Sequence, residues 1–173
     1  QLFVRDITER KQAQEKIDML AMAVKGISEC VSITDLTGKV IFINDAFETI
    51  YGYSKEDILG KAINFVRSHN NPPDINTEML EQTQKGGWQG ELLTRTKDGR
   101  EFPVYLSTSI LKNEKGEPVA HIGIASDITE RKKVEKEIKR LALVAQRTQN
   151  AVIITSPEGE IQWVNDGFIR LTG

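Results

Sequence analysis

The groups in this chain that could do chemistry are one cysteine, two histidines and a scatter of carboxylates. No nucleophile is spaced with a base, and the Asp and Glu residues are strewn over expected helices and turns, so acid-base or covalent catalysis finds no support. Cys30 stands alone, which excludes an intrachain disulfide and any multi-cysteine zinc site. At the start of an expected strand it reads as a small packed residue rather than a reactive thiol. His69 lies in the polar stretch Arg67-Ser68-His69-Asn70-Asn71, where hydrogen bonding within a loop is its simplest role. A kinase phosphoacceptor would sit on a dimerising helix, and both stretches that read as such helices lack histidine. His121 lies near the start of the last expected strand and shares period-2 parity with Gly123 and Ala125, while Trp88 shares parity with Gly90, Leu92 and Thr94.

Any element that positions these groups belongs to a repeated unit. Residues Asp6-Ile7-Thr8-Glu9-Arg10-Lys11 return as Asp127-Ile128-Thr129-Glu130-Arg131-Lys132, and Asn44-Asp45-Ala46-Phe47 returns as Asn165-Asp166-Gly167-Phe168, both at an offset of 121. Aligned without a gap, positions 1–52 and 122–173 share 17 identities. The unit is a helix plus a domain in tandem. With the second copy stopping at Gly173, the chain is expected to be an excerpt of a longer array.

Two copies of one helical seam follow from the alignment. Ala13, Ile17, Leu20 and Val24 recur at heptad-like spacing, and Val134, Ile138, Leu141 and Ala145 repeat the phase. Asp6, Thr8 and Glu9 have the spacing of an N-terminal cap. Lys133 with Glu137, and Glu135 with Lys139, are opposite charges four apart. Such a seam serves either an intermolecular coiled coil or packing onto its own domain. After Gly26, residues 31–34 and 40–43 read as a hairpin around Asp35-Leu36-Thr37-Gly38. Short helices follow after Asn44 and Ser54, with another over 77–85. Gly86-Gly87 then introduces three strands over 88–96, 100–111 and 119–126. Two strands, a helical middle and three antiparallel strands make an α+β domain.

Composition sets the outer limits. The 173 residues are 39% apolar and 28% charged, with a formal charge of −2 and a pI near 5.8. Signs are interspersed, which gives no footprint for nucleic acid or for an anionic membrane. The basic cluster Arg131, Lys132, Lys133, Lys139 and Arg140 alternates with glutamates and reads as a solvated helix face. No apolar run approaches a membrane span and no export signal is visible, so a cytoplasmic location without membrane contact is expected.

The order just read, with Asn44-Asp45-Ala46-Phe47, Gly52-Tyr53-Ser54, Ile58-Leu59-Gly60, Trp88-Gln89-Gly90-Glu91, Lys97-Asp98-Gly99 and Asp127-Ile128-Thr129-Glu130, closely resembles the bacterial PAS (S-box) sensory domains. The resemblance implies a PAS fold: a five-stranded antiparallel sheet in spatial order 2-1-5-4-3 with short helices over one face, enclosing a ligand-sized cavity. It divides the chain into the tail of a preceding unit (1–8), a linker helix (9–27), a PAS domain (28–128), a second linker helix (129–148) and the truncated start of a second PAS domain (149–173).

Function is implied in the same way. The domain is expected to be a non-enzymatic sensory and signal-relay module of a multidomain bacterial protein of the histidine kinase or cyclic-nucleotide output type. It would sense a small molecule, with Phe47, Ile63, Trp88, Thr94, Val104, His121 and Ala125 around the ligand and Asp127 and Thr129 relaying the signal. Its partners would be a second copy of itself through the helical seam, adjacent PAS units and the output domain. The alternatives are a ligand-free dimerisation or spacer module and a flavin-binding redox sensor.

Particular cofactors can be weighed by position. Flavin light sensors of the superfamily carry a reactive cysteine where Gly60-Lys61-Ala62-Ile63-Asn64-Phe65 has Ile63, which excludes photoadduct chemistry there. Their ring-binding polar side chains match Thr94, Val104 and Ala125, and two of the three have lost their hydrogen-bonding groups. Flavin redox sensors of the family share the tryptophan that Trp88 matches, which leaves room for a noncovalent FAD. Haem sensors present a histidine from the helix matching 77–85, which has none, so haem is not expected. Finally, Leu2 to Val4 align with the end of a fifth strand, and are expected to pair with residues 151–155 of another chain or leave that hairpin to dock on a neighbouring sheet.

Overall fold

Alternate residues of the late strands turn to one side and are buried there, as Leu92, Thr94, Phe102 and Val104 show, while Glu91, Glu101 and Tyr105 face out. The computed structural model describes residues 2–173, apart from the side chains of residues 2–9, Ile17 and Ala21. The chain divides into two compact units, residues 1–128 and 129–173. The first holds α1 (Leu2–Lys25), β1 (Cys30–Thr34), β2 (Val40–Ile43), α2 (Asp45–Tyr51), α3 (Lys55–Ile58), a 3-10 turn (Ile63–Val66), α4 (Ile75–Lys85), β3 (Trp88–Arg95), β4 (Glu101–Lys112) and β5 (Pro118–Asp127). The five strands form one antiparallel sheet in the order β2-β1-β5-β4-β3, as the resemblance implies. Central β5 sets Ala125 between Cys30 of β1 and Leu106 of β4, and Gly123 between Ser32 and Thr108.

Local chemistry explains the joins. In the β1–β2 turn the Asp35 carboxylate accepts from Thr37 N at 2.8 Å, Thr37 Oγ1 at 2.7 Å and Lys39 N at 3.0 Å, and Gly38 supplies the positive φ of +85°. Ser54 and Asp57 close a capping box on α3. The helices fold over the inner sheet face: Phe47 and Tyr51 of α2 stack at 4.4 Å between ring centroids, and Tyr51 lies 5.5 Å from Phe102. Ile58, Val66 and Met79 complete that buried layer.

The second unit holds α5 (Thr129–Arg147), β6 (Ile153–Thr155), β7 (Ile161–Val164) and α6 (Asp166–Thr172). Here β6 pairs with β7 as a two-stranded hairpin whose Ile154, Ile161 and Trp163 are exposed. Two expectations change. Leu2 to Val4 are helical, because a strand needs a neighbouring ladder, whereas a helix closes its hydrogen bonds within itself. The linker helix therefore runs over Leu2–Lys25 rather than 9–27, and an extended pairing with residues 151–155 is not available to it. On α5 Arg131 donates to Glu135 at 3.0 Å and Lys133 to Glu130 at 2.7 Å, while Lys139, as expected, adds favourable charge to Glu135 from one turn on. Several partners lie one turn away on an exposed helix, and each such pair is worth only tenths of a kcal/mol, so spacing alone does not select among them. The cap proposed at Asp6, Thr8 and Glu9 lies outside the described side chains.

Candidate functional site

A cavity of about 370 Å³ lies between the inner sheet face and the layer made by α2, the 3-10 turn and α4. Phe47 reaches it from α2, Ile63 from the turn, Thr94 from β3, Val104 from β4, and His121 and Ala125 from β5. Six of the seven residues named from the sequence thus surround one space. Trp88 does not line it. Its indole folds along its own strand over Gly90, where a Cβ would stand 2.7 Å from the ring, and its N–H donates to Glu78 at 3.3 Å. Parity placed Trp88 on the correct face, but the ring is spent on packing against α4 and the sheet.

The wall made by Thr94, Val104 and Ala125 offers a single hydroxyl, and Thr94 Oγ1 already donates to the Phe102 carbonyl at 3.3 Å. A flavin's polar ring edge would meet mostly methyl groups there, so these residues do not fit it. On α4 the cavity sees Asn76, Met79, Leu80, Thr83 and Gln84, and no histidine. Hydroxyls close the far side: Thr83 donates to Met79 O at 2.6 Å and lies 2.5 Å from Thr108 Oγ1.

Two titratable groups in the wall are held neutral. Burial pushes the Tyr51 hydroxyl up, partly offset by a hydrogen bond with Thr94. Burial, with Asp127 and Glu29 adding negative charge, pushes the Cys30 thiol up to about 12, and its S–H points at Ala46 O at 3.9 Å. The thiolate is the nucleophile, and burial keeps Cys30 as the thiol at pH 8. Native protein is therefore expected to resist iodoacetamide at pH 8 and to label fully in denaturant; rapid native labelling would show an accessible, acidic thiol instead. His69 is exposed. The bonds expected of it belong to its neighbours: Ser68 Oγ and Asn70 Nδ2 donate to Glu101 at 2.5 and 2.9 Å, and Asn71 brackets the Leu93 N–H and C=O at 2.7 Å each.

A second constellation centres on Asn44, the N-cap of α2. Asn44 is fully buried, and its Oδ1 accepts from Val31 N at 2.9 Å and Phe47 N at 3.1 Å. Its Nδ2 faces Glu29 O at 2.9 Å, Ile27 O at 3.3 Å and Val24 O at 3.4 Å. One amide thus ties the last turn of α1, the first strand and the start of α2. Asn165 repeats the joint in the second unit, with Val152 N, Phe168 N, Ala145 O and Asn150 O as partners. The exact recurrence of Asn-Asp at an offset of 121 was the available signal.

The helical seam is open. Ala13, Leu20, Val134, Ile138 and Leu141 are exposed, Val24 is half-buried, and the Ile17 side chain lies outside the described residues. Asp127 ends β5 opposite Val104, and Thr129 begins α5.

A family model described as PAS domain matches residues 28–130 and 149–173. Over 143 residues the chain is 24% identical to the nitrogen fixation regulatory protein of Klebsiella oxytoca, covering 80% of this chain and 29% of that one. Over 132 residues it is 26% identical to sporulation kinase C of Bacillus subtilis, covering 75% and 30%. It thus spans less than a third of the length of these curated relatives. Among solved structures, the PAS domain of a protein from Colwellia psychrerythraea superposes with a TM-score of 0.60 at 30% identity, over 66% of this chain and 98% of that one.

Proposed function

Because this chain belongs to the PAS domain family, we propose that it is a sensory and signal-relay module which takes up a small molecule in the cavity and passes the difference to its flanking helices. PAS domains are generally sensory rather than catalytic. The parent protein's output, a histidine kinase or a cyclic-nucleotide enzyme, belongs to this proposal too, as does self-association through the seam. Among the described residues no helix is long and apolar enough to cross a membrane.

The observation that carries the reading is that one strand is both sensor wall and exit. β5 contributes His121, Gly123 and Ala125 to the cavity, and the chain then runs through Asp127 and Ile128 into Thr129 at the start of α5. A ligand that favours one arrangement of β5 shifts the population of the states its continuation samples, by no more than its differential affinity for them. Mass spectrometry of freshly purified, denatured protein is expected to release a small organic molecule, and the native protein is expected to be colourless. Protein that is ligand-free under every preparation would favour the spacer module. Near-stoichiometric uptake of FAD, with its absorption of blue light, would favour the redox sensor.

A further inference from the structure

Among the described residues, Arg67, just after the 3-10 turn, is the only side chain of fixed charge in the cavity wall. Its Nη1 donates to Asn76 Oδ1 at 2.5 Å and its Nη2 points at Met79 Sδ at 3.5 Å, both neutral partners on α4. No Asp or Glu lines the cavity, and no ion pair forms on Arg67 among the described residues. Arg67 is half-buried, and a guanidinium partly withdrawn from water normally has an anion beside it, because desolvating a charge costs more than neutral hydrogen bonds return. Here burial weakens its hold on the proton with no opposing charge to restore it. Asn76 and Met79 fix the head group in place and leave other N–H donors of the fork free for a planar acceptor.

We propose that the cavity ligand is a small organic acid with an apolar body, its carboxylate held by Arg67. The inference rests on the reading of the cavity as a ligand site and adds the ligand's chemistry. One guanidinium balances one carboxylate, whereas a doubly charged phosphate would stay partly uncompensated. Ile63, Val66, Leu92, Val104, Leu106 and Ala125 supply an apolar stretch of wall for the hydrocarbon body. The volume lies at the lower end of the range for ligand pockets, which admits a molecule of this size and leaves little room for a larger one.

The test titrates the whole chain with octanoate and phenylacetate, and with octanol and 2-phenylethanol as uncharged counterparts, read by nuclear magnetic resonance shifts of the methyl groups of Ile63, Val104 and Leu106. The acids are expected to bind the wild type at least about tenfold more tightly than the alcohols, and Arg67→Met is expected to erase that preference while alcohol binding is retained. Retained alcohol binding also shows that the variant is folded, and Arg67→Gln, which keeps a donor for Asn76, provides a second folded variant with the same expected loss. If alcohols bind the wild type as tightly as acids, or if both variants keep the acid preference, the carboxylate assignment is wrong and the cavity reading stands. If neither class shifts any cavity methyl group, the cavity reading fails with it.

Discussion

Asn44→Ala is expected to destabilise the first unit by about 3–5 kcal/mol, the largest effect of any single substitution considered for this chain. The loss has identifiable parts. Two backbone N–H groups, Val31 and Phe47, lose their acceptor at a position with no exposure to water. Each buried donor left unpaired costs about 1–3 kcal/mol, and the N-cap of α2 contributes about 1 kcal/mol of that kind of loss. Three carbonyls, Val24, Ile27 and Glu29, lose their donor as well. For a unit of this size the melting temperature should fall by about 10–20 °C. Asn44→Asp separates the two halves of the joint: its carboxylate can keep both N–H bonds, but it turns an acceptor toward three carbonyl oxygens. Hydrogen exchange should then show α2 protected and the last turn of α1 loosened. A melting temperature within about 2 °C of wild type for Asn44→Ala would remove the joint from the account.

Asn44 also shows what sequence reasoning reaches and where it stops. A cap is a local event, so Asn-Asp-Ala-Phe announces the start of α2 from spacing alone. That the same amide reaches back to Val24 requires knowing that the chain between them folds into a tight return, and only the second copy hinted that the residue mattered beyond its helix. Period-2 patterning and the succession of turns gave the five strands and their inward faces, whereas the strand order and the cavity came from the resemblance to PAS domains, since neither spacing nor burial pattern says which strands lie side by side. Thr94, His121 and Ala125 share the inward parity and Val104 was named by its match to the family, and the four line one cavity. Parity gives the face of Trp88 but not the direction its ring takes, and the ring lies over Gly90 as core packing rather than in the cavity wall. Arg67 went unweighed because an arginine beside Ser-His-Asn-Asn reads as a loop residue, and its inward turn depends on Asn76 and Met79, contributed by a helix one loop later. Leu2 to Val4 had the residue types of a strand end but not the ladder that makes one.

A chain carrying both Leu20→Lys and Leu141→Lys is expected to be monomeric where the wild type dimerises. Leu20 and Leu141 occupy the same seam position in the two copies, 121 residues apart, and are each 59% exposed. Val134 and Ile138 extend the second seam at 57% and 61% exposure. Large aliphatic side chains repeated at heptad spacing on charged helices are costly to leave in water, and burying each against a second chain returns about 1.5–3 kcal/mol. A symmetric dimer buries both leucines from each chain, so the double substitution removes four such contacts and sets four ammonium groups at or beside the interface. The dissociation constant should rise by at least about a thousandfold, enough to turn a micromolar dimer into a monomer at any practical concentration. Leu59→Lys, at a position 47% exposed and outside the seam, adds a similar charge and is expected to leave association unchanged. Light scattering across a concentration series decides it. A wild type that stays monomeric at high concentration, or a double variant that dimerises as the wild type does, would assign the seam to packing within a single chain.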